Sequence, residues 1–261
     1  MQKSKIEWCD MTWNPVTGCR NACTYCYARR IAKRFEGYNP DITPIAFDHS
    51  MPLELDEPLK LTYKDNKAIN APYPFGFEPT LHRYRFSEPS KVKKGQNIFV
   101  CSMADLFGPW VPTKWILDVF DVCSAAPQHN YMFLTKYYHR YEELDDMALL
   151  PHQDNFWYGT TAVNIEDRFF NSSDVNTFLS IEPIQMRLGN VLDDNVNLKW
   201  IIVGAETGNR KGKIKPKKEW IVDLAMACET KISLFMKDSL KDVYGDELIQ
   251  ELPKGLLRNR K

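Results

Sequence analysis

The sequence predicts an α/β fold in which parallel strands and covering helices form a complete or partial (β/α) barrel of the TIM type. Three observations predict it. Short runs rich in β-branched and aromatic residues recur along the chain, and most are almost continuously apolar, as strands are when helices cover both faces of a parallel sheet. Stretches with apolar residues at helical spacing lie between several of them. The length, 261 residues, suits a barrel that folds as one unit.

In chain order the expected strands are "TWNPV" (12–16), "NIFVCS" (97–102), "YMFLT" (131–135), "FWYGTTAV" (156–163), "TFLSI" (177–181), "LKWIIVG" (198–204) and "ISLFM" (232–236). Expected helices are "YARRIAKRFEG" (27–37), ended by Gly37, and "PTKWILDVFDVCSAA" (112–126), with Pro112 near its start and Pro127 beyond it. A third, "KPKKEWIVDLAMACET" (215–230), carries Trp220, Ile221, Leu224 and Ala227 at helical spacing. Residues from about 38 to 94 are rich in proline and aromatics and read as an irregular insertion or lid, with one further strand hidden in "FGFEPTLHRYRF" (75–86). The whole chain, 1–261, is therefore one domain with an insertion.

Hydrophobic residues make up 44% of the chain and charged residues 26%, enough apolar mass for a packed core and too much for a disordered chain. Thirty-four basic residues balance thirty-four acidic ones, so any attraction to nucleic acid must come from a local patch rather than the global field. The N-terminus lacks the apolar stretch of a secretory signal, and no run approaches the roughly 18 apolar residues of a membrane helix. A cytoplasmic location without membrane contact follows as an expectation, and there a tight cluster of thiols points to metal binding rather than a disulfide.

Such a cluster is present. In "TGCRNACTYCYARR" (17–30), Cys19, Cys23 and Cys26 stand at C-x3-C-x2-C between an expected strand and an expected helix. Three thiolates on one loop can bind three irons of a [4Fe–4S] cluster and leave the fourth iron without a protein ligand. A structural zinc site needs a closed set of four, for which Cys9 is the available addition, but zinc modules usually pair C-x2-C knuckles from two separate loops. Cys123 and Cys228 fall in helix-like stretches and read as packing. The five histidines are scattered, and His82 reads as a surface histidine.

With Tyr25 directly before the last cysteine, this arrangement resembles the signature of radical S-adenosylmethionine (SAM) enzymes. The segments "IEW", "TWNPVTGC", "CYA", "SMADLF", "FLTK", "SIEP" and "IIVGAETG" are similar, in this order, to a phage and bacterial family of unknown function with a radical-SAM-like core. The resemblance implies a radical SAM barrel whose [4Fe–4S] cluster, held by Cys19, Cys23 and Cys26, chelates SAM at the open iron. An external electron donor reduces the cluster, SAM is cleaved to a 5′-deoxyadenosyl radical, and the radical removes hydrogen from a substrate. Tyr25 would lie near the SAM adenine. Two other readings stay open: a non-enzymatic zinc or iron–sulfur binding module, and an electron carrier.

Polar residues that end the expected strands are the remaining site candidates. Ser102 and Asp105 follow "IFVC", where a carboxylate could accept the SAM ammonium, although the Gly-Gly-Glu form usual in the superfamily is absent. Thr135, Thr160, Thr161 and Asn164 could bind the ribose or carboxylate, and Lys136 could neutralise that carboxylate or meet an anionic substrate. Glu182 and Glu206 each follow a buried strand, where a charge must find a partner or lose its hydration uncompensated. Gly204 and Gly208 would let backbone approach a ligand, and Lys237 is a weaker candidate. Cys101, at a strand end, is a candidate hydrogen donor. The basic stretches "RRIAKR" (29–34) and "RKGKIKPKK" (210–218) make a nucleobase, nucleotide or nucleic acid the leading substrate class.

Overall fold

The computed structural model describes residues 1–35, 53–62, 68–189, 197–228, 231–257 and 259. Its strands are β1 (Gln2–Lys3), β2 (Met11–Trp13), β3 (Val16–Thr17), β4 (Leu53–Leu55), β5 (Lys60–Thr62), β6 (Ala68–Asn70), β7 (Thr80–His82), β8 (Asn97–Val100), β9 (Asn130–Thr135), β10 (Phe156–Thr161), β11 (Asn176–Ile181), β12 (Trp200–Val203) and β13 (Ser233–Met236). Its helices are α1 (Tyr27–Phe35), α2 (Glu88–Lys91), α3 (Thr113–Ser124), α4 (His139–Asp146), α5 (Lys218–Cys228) and α6 (Lys241–Tyr244). The expected end of α1 at Gly37 and that of α5 at residue 230 lie outside the described residues.

Eight strands form one sheet in the order β1-β2-β8-β9-β10-β11-β12-β13, parallel throughout except for β1 at its edge. The order is linear, so the alternatives of a complete or a partial barrel resolve to a partial one: among the described residues no barrel is closed. The sheet nevertheless curls around an interior. Alternation along each strand turns Phe99, Met132, Trp157, Phe178, Trp200 and Phe235 to one common cluster. Trp8, from the segment before β2, lies 4.8 Å from Phe99, 6.3 Å from Phe178 and 5.9 Å from Trp200 between ring centroids, which ties distant strands to a single plug.

The outer face of the sheet is covered by helices. Trp115, Ile116, Val119, Phe120 and Cys123 of α3 and Tyr141 and Leu144 of α4 pack with Tyr131, Phe133, Phe156 and Tyr158, where Phe120 meets Phe133 edge-on at 5.4 Å. Ile221, Leu224 and Cys228 of α5 form a second outer cluster with Leu179, Ile201 and Leu234. Cys123 and Cys228 are thus packed side chains. The C-terminal segment closes the amino ends of the strands: Asn97 Nδ2 donates to the Leu257 carbonyl at 2.6 Å and Asn130 Nδ2 to the Gly255 carbonyl at 3.1 Å. Among the described residues no helix is long and apolar enough to cross a membrane.

Several expectations need correction. "TWNPV" is not one strand: β2 ends at Trp13 and the chain leaves the main sheet, because Pro15 has no N–H for a ladder and its carbonyl instead accepts from His82 N at 2.7 Å. Residues 38–94 hold more than the one strand expected in 75–86, which is β7; among those described, β4 joins β7 and β3 in a second sheet, and β5 pairs with β6. Helix α4 was not expected, since "HRYEELDD" is mostly polar and buries only Tyr141 and Leu144.

His82 is buried rather than on the surface, with Nε2 2.8 Å from Thr17 Oγ1 and Nδ1 3.2 Å from the Tyr84 hydroxyl. Burial, helped by the nearby Arg85 charge, pulls its pKa from 6.5 down to about 3, so the folded protein keeps it neutral. The unfolded chain protonates this histidine first as pH falls, so its contribution to stability is complete above 6.5 and is lost progressively toward about pH 3. Replacing His82 by glutamine is expected to flatten the pH dependence of unfolding in that window by about 1.4 kcal/mol per pH unit. Urea titrations of the two proteins at stepped pH measure it, and parallel pH profiles would show that His82 takes up its proton without unfolding.

Candidate functional site

The strand register sets the site. Thr160 pairs with Thr135, Thr161 with Ser180, Ile181 with Val203 and Val203 with Met236, so the residues that follow these strands arrive at one level at the carboxyl end of the sheet. A cavity of about 260 Å³ opens there. It is lined by Cys19, Cys23, Tyr25 and Cys26 from the loop before α1, by Cys101, Ser102 and Asp105 after β8, and by Thr135 and Lys136 at β9. Thr161, Glu182, Gly204, Glu206 and Lys237 complete it from β10 to β13.

The cysteine loop is anchored at both ends. Gly18 has φ +89 and lies so near the Glu78 carbonyl that a Cβ there would fall 2.1 Å from its oxygen; only glycine accommodates both. Gly18 N donates to the Met103 carbonyl at 2.9 Å and Cys19 N to that of Phe77 at 3.0 Å. Further along, Arg29 Nη2 reaches back to the carbonyls of Cys19 (2.8 Å) and Asn21 (3.0 Å), with its guanidinium over the Phe77 ring. Two thiols accept backbone hydrogen bonds, Cys19 Sγ from Asn21 N at 3.4 Å and Cys26 Sγ from Arg29 N at 3.3 Å. Burial pushes the Cys19 thiol up to about 12.

Asp105 joins this loop to the strand ends. Its carboxylate accepts from Thr135 Oγ1 (2.7 Å), Phe107 N (3.2 Å), Lys136 N (3.2 Å) and Asn21 Nδ2 (3.5 Å). Burial raises its pKa, against the lowering by these hydrogen bonds. On the other side of the loop, Lys136 Nζ donates to the Tyr25 hydroxyl at 3.1 Å, and Tyr137 donates to Asn21 Oδ1 at 2.8 Å.

Other candidates separate. Thr160 points to the helix-covered face, where Oγ1 accepts from Phe170 N at 3.1 Å; the alternation that puts Trp157 inside makes Thr161 the cavity residue. Asn164 lies on a neighbouring hollow shared by Cys23, Tyr25, Lys136 and Thr161, in a turn whose amides donate to Asp167. Glu206 has found its partner in Arg210, in a two-pronged pair at 2.6 and 2.7 Å that lowers its pKa. Glu182 is paired more loosely, 3.4 Å from Lys237 Nζ, and burial raises its pKa. Gly204 leaves the room that Lys237 needs, since a Cβ there would come within 2.9 Å of Lys237 Cδ. Ser102 donates to Asn14 Oδ1 at 3.2 Å. Cys101 is buried with φ 59, a conformation that few side chains other than glycine adopt, and burial pushes its thiol up to about 12.

Residues 3–242 match the model of a family described as "Protein of unknown function (DUF5131)". The chain belongs to the DUF5131 family. No curated protein matches it. Among solved structures, a spore photoproduct lyase mutant with bound AdoMet and dinucleoside spore photoproduct superposes with a TM-score of 0.53 at 11% identity, covering 90% of this chain and 78% of that one. A second spore photoproduct lyase, complexed with dinucleoside spore photoproduct, superposes more loosely, with a TM-score of 0.49 at 11% identity over 85% and 74% of the two chains. At such identity the likeness is one of fold, and it agrees with a partial β/α barrel for this DUF5131 chain.

The residues present are of a kind that fits an iron–sulfur cluster. Cys9, the fourth ligand a zinc site would need, is buried among Trp8, Phe99 and Trp200, with Sγ 3.3 Å from Ser4 Oγ. Three thiols on one loop, two of them accepting backbone N–H groups, are the soft, hydrogen-bonded donors such clusters use. Asn14, Asn21 and Tyr137 are not legible in the sequence, because they act through hydrogen bonds whose partners are far away in the chain and no local pattern marks them.

Proposed function

We propose that this DUF5131 protein is a radical SAM enzyme. The observation that carries the reading is the C-x3-C-x2-C loop, pinned at the carboxyl end of a parallel sheet and opening onto a cavity lined from six neighbouring strand ends. Cys19, Cys23 and Cys26 would hold a [4Fe–4S] cluster, which when bound supplies the electron that breaks a carbon–sulfur bond of SAM.

The chain's own residues do the rest. Lys136, held against Tyr25, places a fixed positive charge where a carboxylate of SAM or substrate can meet it. Tyr25 offers a ring face to the adenine. Asp105 serves chiefly by positioning, because its oxygens are already taken by Thr135, Phe107, Lys136 and Asn21; Ser102 and Thr135 border the same end of the cavity. Glu182, with Gly204 beside it, is the acceptor for an ammonium or N–H group, its carboxylate being held loosely, by the long contact of Oε1 with Lys237 Nζ at 3.4 Å. Glu206 holds its loop through Arg210. Cys101 keeps its hydrogen on Sγ inside the cavity and is the candidate to return one to the product.

The test is anaerobic reconstitution with iron and sulfide, chemical reduction in the presence of SAM, and assay for 5′-deoxyadenosine. Release of 5′-deoxyadenosine is the expected result. A full, reducible cluster that releases none would make the protein an electron carrier, and stoichiometric zinc in place of a cluster would make it a binding module.

A further inference from the structure

The net charge of the chain is zero, but two segments far apart in sequence carry an excess of one sign. Helix α1 has four basic residues and no acid, and its only buried residues are the small Ala28 and Ala32, so Arg30, Lys33 and Arg34 are exposed. Residues 207–218 carry six basic residues and no acid, with Lys211 and Lys215 exposed.

The fold brings these segments together at the cavity mouth. Arg30 Nη1 lies 3.6 Å from where a Cβ on Gly208 would stand, and Arg30, Glu206 and Thr207 all line the cavity. Glu206 offsets only Arg210, in a pair that holds the loop in place, and leaves the other five cations of the loop. Exposed rings accompany the cations: Tyr27 is 46% and Phe35 53% exposed at the two ends of α1. Closely spaced cations attract a polyanion, and accessible aromatic faces suit unpaired bases.

We infer that α1 and the 206–218 loop form one track for the phosphodiester backbone of a single-stranded nucleic acid, which presents a nucleotide to the cavity beside it. The track rests on charge and placement; its use as a substrate track rests on the radical SAM reading as well. Binding and SAM cleavage are therefore measured separately on the reconstituted protein.

Fluorescence anisotropy with a labelled 20-nucleotide mixed-sequence DNA strand, across a salt series, reads the binding. Arg34→Glu, Lys211→Glu and Lys215→Glu combined are expected to weaken it by more than about tenfold and to make the salt dependence shallower by about two units of slope. Lys91→Glu with Lys94→Glu, which precede β8 at the other end of the sheet, are expected to bind as the unchanged protein does. Equal weakening by both sets, or none by the first, would overturn the track. So would tighter binding to phosphatidylserine–phosphatidylcholine vesicles than to the strand. Cleavage of SAM by protein that binds no strand would overturn the track and leave the enzyme reading standing, whereas strand binding without SAM cleavage would uphold the track and sink that reading.

Discussion

Replacing Cys23 by alanine is expected to reduce cluster iron and 5′-deoxyadenosine release to background while leaving the fold intact. Cys23 is half-buried on the loop between Cys19 and α1, and its surroundings contribute little packing that alanine would forfeit. Between cluster-free proteins a substitution of this kind usually changes stability by no more than about 0.5 kcal/mol, so the melting temperature, compared in that state, should hardly move. Chemistry and stability thereby come apart. Iron and sulfide content after anaerobic reconstitution, the absorbance of the cluster and the nucleoside assay give three readings of one loss. Cys9→Ala supplies the contrast: Cys9 sits in the interior cluster, so that variant should keep its iron even if it melts earlier. Loss of metal from Cys9→Ala and Cys23→Ala alike would point to a four-cysteine site. Undiminished SAM cleavage by Cys23→Ala would remove the basis of the enzyme reading.

Asp105→Ala should fail in the other direction, through structure first. Its carboxylate satisfies Thr135, two backbone amides and Asn21, binding the turn after β8, the end of β9 and the cysteine loop to one another. A buried donor left without an acceptor costs about 1–3 kcal/mol, and water entering the gap recovers part of that. A net loss of about 3–5 kcal/mol follows, or roughly 10 °C in melting temperature for a chain of this size. Asparagine is an incomplete rescue. Its single carbonyl can serve Thr135 and Phe107, but its NH₂ then faces the Lys136 and Asn21 donors. Thermal unfolding of the two variants, with cluster content on the same samples, separates the possibilities: the order expected is unchanged protein, then Asp105→Asn, then Asp105→Ala. An Asp105→Ala protein that melts normally would show that the carboxylate is a ligand group and not a tether.

The apolar runs placed six of the seven long parallel strands almost to the residue, because a strand covered on both faces must be apolar nearly throughout. β2 was the exception, cut short at Asn14 and Pro15. Helices α3 and α5 were legible for a related reason: each buries a wide stripe, which leaves a period in the sequence. α4 buries two side chains and leaves none. Of the small sheet only β7 was legible, inside 75–86; its partners β3 and β4 escaped, since strands of two or three residues paired across long separations have no local signature.

The α/β class and the cysteine loop could be read from the chain alone, since both rest on spacing along it. The sequence also marked the ends of the strands as the place for polar residues. Which of those residues share a cavity depends on the folded arrangement. It turned Thr161 inward and Thr160 outward, gave Glu206 to Arg210, used Asp105 to tie three segments, and set α1 beside the 206–218 loop. The physical reason is that periodicity reports how each element is buried, whereas strand register and long-range hydrogen bonds decide where its side chains meet.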